Sequence, residues 1–254
     1  MALLRQACEC GSAEACFYKG RSHEKGLLGL ANDQTTAVVF LTRACEARNA
    51  EACFWLGVKH VKGRGVAMDR ARGMALLETA CNGGEALGCT DLGYLFRSGE
   101  GVVKDEARAA ALFKQACDLH SEEGCINLGM MYGRGQGVPK DEARAAAVFK
   151  QACDRGAPMA CLSLGGLYLS GPPAVRDVAR GVTVLKQTCD REDADGSAAC
   201  FFLGTRYLNG ADGIAKDQGR AAELFNQACR REQSKGCVAV RAMQRTCCGA
   251  PDER

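Results

Sequence analysis

The sequence predicts an all-α fold, a right-handed α/α superhelix (solenoid) of about seven disulfide-stapled helix pairs. Three observations carry this expectation. Cysteines come in pairs along the whole chain: Cys8/Cys16, Cys45/Cys53, Cys81/Cys89, Cys117/Cys125, Cys153/Cys161, Cys189/Cys200 and Cys229/Cys237. Six pairs have spacing 8 and the Cys189/Cys200 pair has spacing 11, while 28 or 29 positions separate each pair from the next. The resulting period of about 36 residues is that of stacked units, each packing mainly on its neighbours. Within each period the apolar residues fall at helical spacing.

The chain enters this pattern part-way through a unit. Met1–Cys8 aligns with Ala110–Cys117, the second helix of a later unit, so an upstream segment carrying an export signal is expected. The first unit is degenerate: Lys19-Gly20 stands where Leu-Gly stands later, and its loop is rich in Gly and Leu. Glu122 to Cys153 shows the unit most clearly. Cys125, Leu128, Gly129 and Tyr132 lie at i, i+3, i+4 and i+7, one face of a first helix. Gly129 lets a neighbouring helix come close, and Gly135 suits the left-handed end of a helix. Asp141 then stands where an N-cap belongs, ahead of a second helix that runs to Cys153.

The remaining units follow the same order. Leu56-Gly57, Leu92-Gly93, Leu164-Gly165 and Leu203-Gly204 mark first helices, with His60, Phe96, Tyr168 and Tyr207 at the Tyr132 position. Asp69, Asp105, Asp177 and Asp217 repeat the cap. After Cys237 the pattern dissolves: Val240-Arg241 replaces Leu-Gly, which reads as a polar capping helix, the fourteenth in all. Residues 1–246 are expected to form one solenoid domain, and residues 247–254 a tail.

Seventeen cysteines in 254 residues demand an account. A structural zinc takes four ligands, usually from C-x2-C or H-x3-5-H knuckles; none occurs here, and His23, His60 and His120 follow no repeat position. Disulfides are therefore expected, each joining the last turn of one helix to the first turn of the next and contributing about 2.5 kcal/mol by loop closure. That chemistry places the chain outside the reducing cytosol, in a bacterial periplasm or secreted; a cytosolic regulator with reduced thiols is the rival. Cys10, Cys247 and Cys248 are left over, and a bridge between molecules through one of them is a further expectation.

Composition excludes several classes. The net charge is only +3, without a basic block, which argues against nucleic acid. No apolar run is long enough to span a membrane. No cofactor or metal is expected and no catalytic residue is assigned.

The string L-G-x-x-Y-x-x-G-x-G-V-x-x-D-x-x-x-A resembles the Sel1-like repeat, a relative of the tetratricopeptide repeat. Paired cysteines eight apart make it similar to the cysteine-rich branch, which includes secreted Helicobacter cysteine-rich proteins and a mitochondrial intermembrane-space assembly factor. The resemblance implies an adaptor that engages proteins or peptides. It also implies, as an alternative, penicillin binding with weak β-lactamase activity. Against the latter, a serine β-lactamase carries S-x-x-K, S-D-N and K-T-G. Only the first is present, as Ser22-His23-Glu24-Lys25.

The tetratricopeptide resemblance places first helices along a concave groove. Residues one and five beyond each first-helix cysteine would then face a partner: Phe54 and Val58, Thr90 and Tyr94, Ile126 and Met130, Leu162 and Gly166, Phe201 and Thr205. Val61, Arg97, Leu169 and Leu208 continue that stripe, and Arg97 would meet an acidic group on the ligand. Two arrangements satisfy these residues: an open groove that holds a protein or peptide segment, or packing against adjacent first helices.

Overall fold

The computed structural model describes residues 2–27, 29–230 and 236–239. Among these, thirteen helices follow one another without a strand, and a helical turn occupies residues 236–239. They form two compact units. Residues 1–139 contain α1 (Ala2–Glu9), α2 (Ala13–Lys25), α3 (Gln34–Glu46), α4 (Ala50–Lys62), α5 (Arg70–Asn82), α6 (Ala86–Ser98), α7 (Glu106–Asp118) and α8 (Glu122–Arg134). Residues 140–254 contain α9 (Glu142–Asp154), α10 (Pro158–Ser170), α11 (Val178–Cys189), α12 (Ala194–Asn209) and α13 (Gln218–Arg230). Among the described residues every element is helical, and within each unit consecutive helices pack in pairs, the solenoid arrangement.

The helix boundaries have local causes. Asp69, Asp105, Asp141 and Asp177 each accept a backbone N–H three residues on, as N-caps. Asp217 accepts from Arg220 N at 2.9 Å in the same way. First helices end at Gly63, Gly99 and Gly135 with φ of 65°, 75° and 70°, a conformation that side chains resist.

Disulfides join Cys8 to Cys16, Cys45 to Cys53, Cys81 to Cys89 and Cys117 to Cys125 in the first unit. In the second they join Cys153 to Cys161, Cys189 to Cys200 and Cys229 to Cys237. Their Cα–Cα distances of 4.5–4.7 Å lie within the range an S–S bond spans. Cys53, Cys89 and Cys161 each stand at the fourth residue of a first helix, in α4, α6 and α10, so the bridge reaches back from that helix's opening turn. The longer Cys189/Cys200 interval is absorbed by helix. α12 has 16 residues where α4, α6, α8 and α10 have 13, so the added residues form most of one more turn before Cys200. The bend itself repeats a conformation. The third residue after the first cysteine has positive φ in Gly11, Arg48, Gly84, His120 and Gly156.

Packing within each pair depends on small residues facing large ones. Four positions before the first cysteine, Leu41, Leu77, Phe113, Leu185 and Phe225 are fully buried. They lie over the glycine of the preceding first helix: a Cβ on Gly93 would come within 2.8 Å of the Phe113 ring, and one on Gly165 within 2.5 Å of Leu185. Ala44, Ala80, Ala116, Ala152 and Ala228, each preceding a cysteine, are buried as well. Helix axes thus approach closely, and the disulfides clamp a core of modest side chains.

Candidate partner-binding face of the first helices

The first helices α2, α4, α6 and α8 belong to one unit, and contacts between successive ones follow a register. The residue two beyond each cysteine meets residues five and eight beyond the cysteine of the preceding first helix. At one step the Arg21 guanidinium lies 3.6 Å from the centre of the Trp55 ring. At another, Asn127 Nδ2 donates to Tyr94 Oη at 2.7 Å, and Arg97 Nη1 donates to Asn127 Oδ1 at 2.6 Å. Tyr94 Oη in turn donates to Glu123 Oε1 at 2.5 Å. Burial, and then that bond to Glu123, raise the Tyr94 pKa above its ordinary value.

Behind the first of these steps sits a buried ammonium. Lys59, 1% exposed, donates to Gln34 Oε1 at 2.7 Å and pairs with Glu24 Oε1 at 2.9 Å. Glu24 also pairs with Arg21, and the buried ammonium of Lys59 is both ion-paired and hydrogen-bonded, as burial requires.

Between these two steps the register is not filled. Val58 and Val61 of α4 face Asp91 of α6, and a cavity of about 460 Å3 opens there. Val58, Val61, Leu77, Tyr94 and Leu95 form its apolar lining, with Lys62, Arg64, Met68, Arg70 and Glu100 completing it. Arg70 pairs with Glu100 at 3.4 Å. Asp91, half-buried, has neither a hydrogen-bond nor an ion-pair partner among the described residues. Burial raises the pKa of its carboxyl; Lys62 opposes the shift and Glu123 adds to it.

The residues expected to meet a partner thus divide. Val58 and Tyr94 line the cavity, and Ile126 and Met130 are half-buried on α8. In the second unit Leu162 and Phe201 are half-buried, and Leu169 is buried. Phe54 and Thr90, 5% and 1% exposed, are corrected to core positions, because adjoining helices already cover them. Thr90 moreover donates to the Ala86 carbonyl at 2.9 Å. Arg97 is half-buried; Asn127 holds its guanidinium, which lies over the Tyr94 ring. The bridged cysteines take no part in this face. Cys53 and Cys89 are buried beside Cys45 and Cys81, and Cys161 is half-buried against Cys153, so each sulfur is committed to its hairpin.

Asp91 and Lys62 were not singled out by sequence reasoning. The signal was available in the register. The residues two beyond the cysteines Cys16 to Cys200 are Tyr18, Trp55, Asp91, Asn127, Ser163 and Phe202, and only one of them is acidic.

The Ser22-x-x-Lys25 tetrapeptide forms helix. The Ser22 hydroxyl is buried and donates to the Tyr18 carbonyl at 2.8 Å, while Lys25 is exposed at the end of α2. No group of three or more His, Cys, Asp or Glu side chains among the described residues could hold a metal ion. Nor is any described helix long and apolar enough to cross a membrane. Cys10 is exposed and unpaired among the described residues; Cys247 and Cys248 lie outside them.

The Sel1 repeat model matches residues 13–49, 50–85, 86–121, 122–156 and 197–232, well over half of the chain. This chain is a Sel1-repeat protein. The interval of this Sel1-repeat protein between the fourth and fifth matched repeats, residues 157–196, holds the Pro172-Pro173 loop and the start of the lengthened α12. No curated protein matches the chain. Among solved structures, it is similar to a protective antigen present in uropathogenic Escherichia coli strains, at 24% identity and a TM-score of 0.81. The match covers 99% of this chain and 53% of the antigen, so the chain spans about half the antigen's length. A Sel1 repeat protein from Oxalobacter formigenes aligns at 24% identity and a TM-score of 0.70, covering 87% of this chain and 89% of that one. Helicobacter pylori cysteine rich protein B aligns at 30% identity and a TM-score of 0.43, over 51% of this chain and 93% of its own. Sel1-repeat proteins are typically protein-interaction scaffolds.

Proposed function

We propose that the chain is a non-enzymatic scaffold that holds a peptide or protein segment against its first helices, in the periplasm or as a secreted protein. The observation that carries this reading is the cavity between α4 and α6, where half-buried apolar side chains leave unfilled a place that neighbouring steps fill. Ile126 and Met130 extend the same face along α8. Such a cavity takes an anchor side chain of a bound segment, and rigid stapled helices lower the ordering cost of capture.

Panning random 12-residue peptides on the oxidised chain tests the proposal. Enriched peptides are expected to slow amide exchange in α4, α6 and α8, and to lose about tenfold or more in affinity for the Val58→Glu/Met130→Glu variant. Far-UV circular dichroism checks that this variant stays helical. Peptides that bind wild type and variant alike, or that protect only second helices, would reject the assignment.

A further inference from the structure

We propose that the cavity between α4 and α6 is a lysine pocket: it receives a lysine side chain of the bound segment, with Asp91 as the acceptor for the ammonium group. This rests on the reading of the first-helix face as the binding face, and adds the chemistry of its anchor.

The inference comes from comparing equivalent steps of one repeat. At two steps of the first unit a residue two beyond the cysteine is met by a long side chain from the helix before it, whereas Phe202 in the second unit lies against Gly166 and is covered by Arg206 of its own helix. Arg21 covers Trp55, and Tyr94 and Arg97 hydrogen-bond Asn127. Asp91 stands at that position in α6, but α4 offers it Val58 and Val61, which have no donor. The carboxylate is half-buried without a partner among the described residues, and the space a basic side chain occupies at those two steps is open. A group that completes the step needs an aliphatic stem to lie on Val58, Val61, Tyr94 and Leu95 and a cationic head to reach Asp91. Lysine has both, and its compact ammonium suits a single carboxylate.

The charges around Asp91 bear on this choice. Lys62 from α4 is exposed and Arg64 lies at the mouth of the cavity; Glu123 approaches from α8, and Arg70 and Glu100 are paired with each other. Lys62 forms no ion pair with Asp91, yet as a neighbouring cation it opposes an incoming ammonium. Its removal is expected to tighten binding.

Holding Asp91 ready also disfavours the empty fold. The carboxyl pKa is raised above 3.8 in the folded chain, so the folded state binds the proton more tightly than the unfolded one. The resulting penalty is present above the raised pKa and disappears as pH falls toward 3.8. Asp91→Asn abolishes that penalty. It also installs the residue that α8 already carries at this register, Asn127, so the variant is compatible with the fold.

The test uses two probes, the blocked tripeptide acetyl-Ala-Lys-Ala-amide and its norleucine counterpart. Each is titrated into the isotope-labelled oxidised chain and followed by two-dimensional NMR. The lysine probe is expected to shift the amides of Val58, Asp91 and Tyr94, and to bind about tenfold more tightly than the norleucine probe. Asp91→Asn is expected to lose about tenfold in lysine-probe affinity while melting about 1–3 °C higher at neutral pH. Lys62→Ala is expected to gain about two- to threefold. Equal binding of both probes, no shift in α4 or α6, or undiminished binding to Asp91→Asn would overturn the pocket. If panned peptides occupy this face while the lysine probe fails, the pocket falls and the scaffold stands. If the lysine probe binds while no peptide is selected, the scaffold reading falls.

Discussion

Arg48 and His120 carry a burden that glycine bears in three other bends. Both occupy the left-handed region, with φ of 65° and 68°, where Gly11, Gly84 and Gly156 sit at the equivalent places. A β-carbon there costs about 1–2 kcal/mol, partly offset because glycine loses more freedom on folding. Arg48→Gly and His120→Gly are each expected to stabilise the chain by about 0.5–1 kcal/mol, read from urea unfolding. A loss of stability in both would show that the bends gain more from those side chains than the backbone loses. The conformation was legible in the glycines three beyond Cys8, Cys81 and Cys153, because only the backbone requirement recurs there. For Asp91 the helical pattern marks it as a polar residue among apolar ones. Its lack of a partner depends on what the preceding first helix sends across, which no single repeat shows.

At the level of helices, the sequence was informative wherever one local rule decided the outcome. Cap aspartates, terminal glycines and the apolar stripe placed the helices, because each acts within one or two turns. The groove was harder to read. Phe54 and Thr90 share a register with Ile126 and Leu162, yet burial separates them, since that depends on the side chains of the next helix along. Arg97, read from the sequence as a residue that faces a ligand, also hydrogen-bonds Asn127, a contact 30 residues away in the chain. The staples make a distinct prediction at this scale. Cys117→Ser/Cys125→Ser should cost about 2–4 kcal/mol and expose the last turn of α7 and first turn of α8 to amide exchange. Exchange elsewhere should stay slow, since each unit contacts mainly its neighbours. Uniform acceleration along the chain would mean that the bridge holds more than its own hairpin.

Across the whole molecule, repetition made the architecture plain. A period recurring through the chain specifies helix pairs whatever the individual residues are, and the family match over five units agrees. Seven intramolecular bridges suit an oxidising, extracytoplasmic environment. They also clamp the hairpins of an alanine-rich core, and the proposed capture of a segment relies on that rigidity. Rigidity of that kind depends on every clamp being closed. Peptide mapping by mass spectrometry, after alkylating the native protein without reductant, tests it most directly. Seven cross-linked peptide pairs are expected, from Cys8/Cys16 to Cys229/Cys237, with Cys10 alkylated. Alkylation of those fourteen cysteines as free thiols would contradict this pairing.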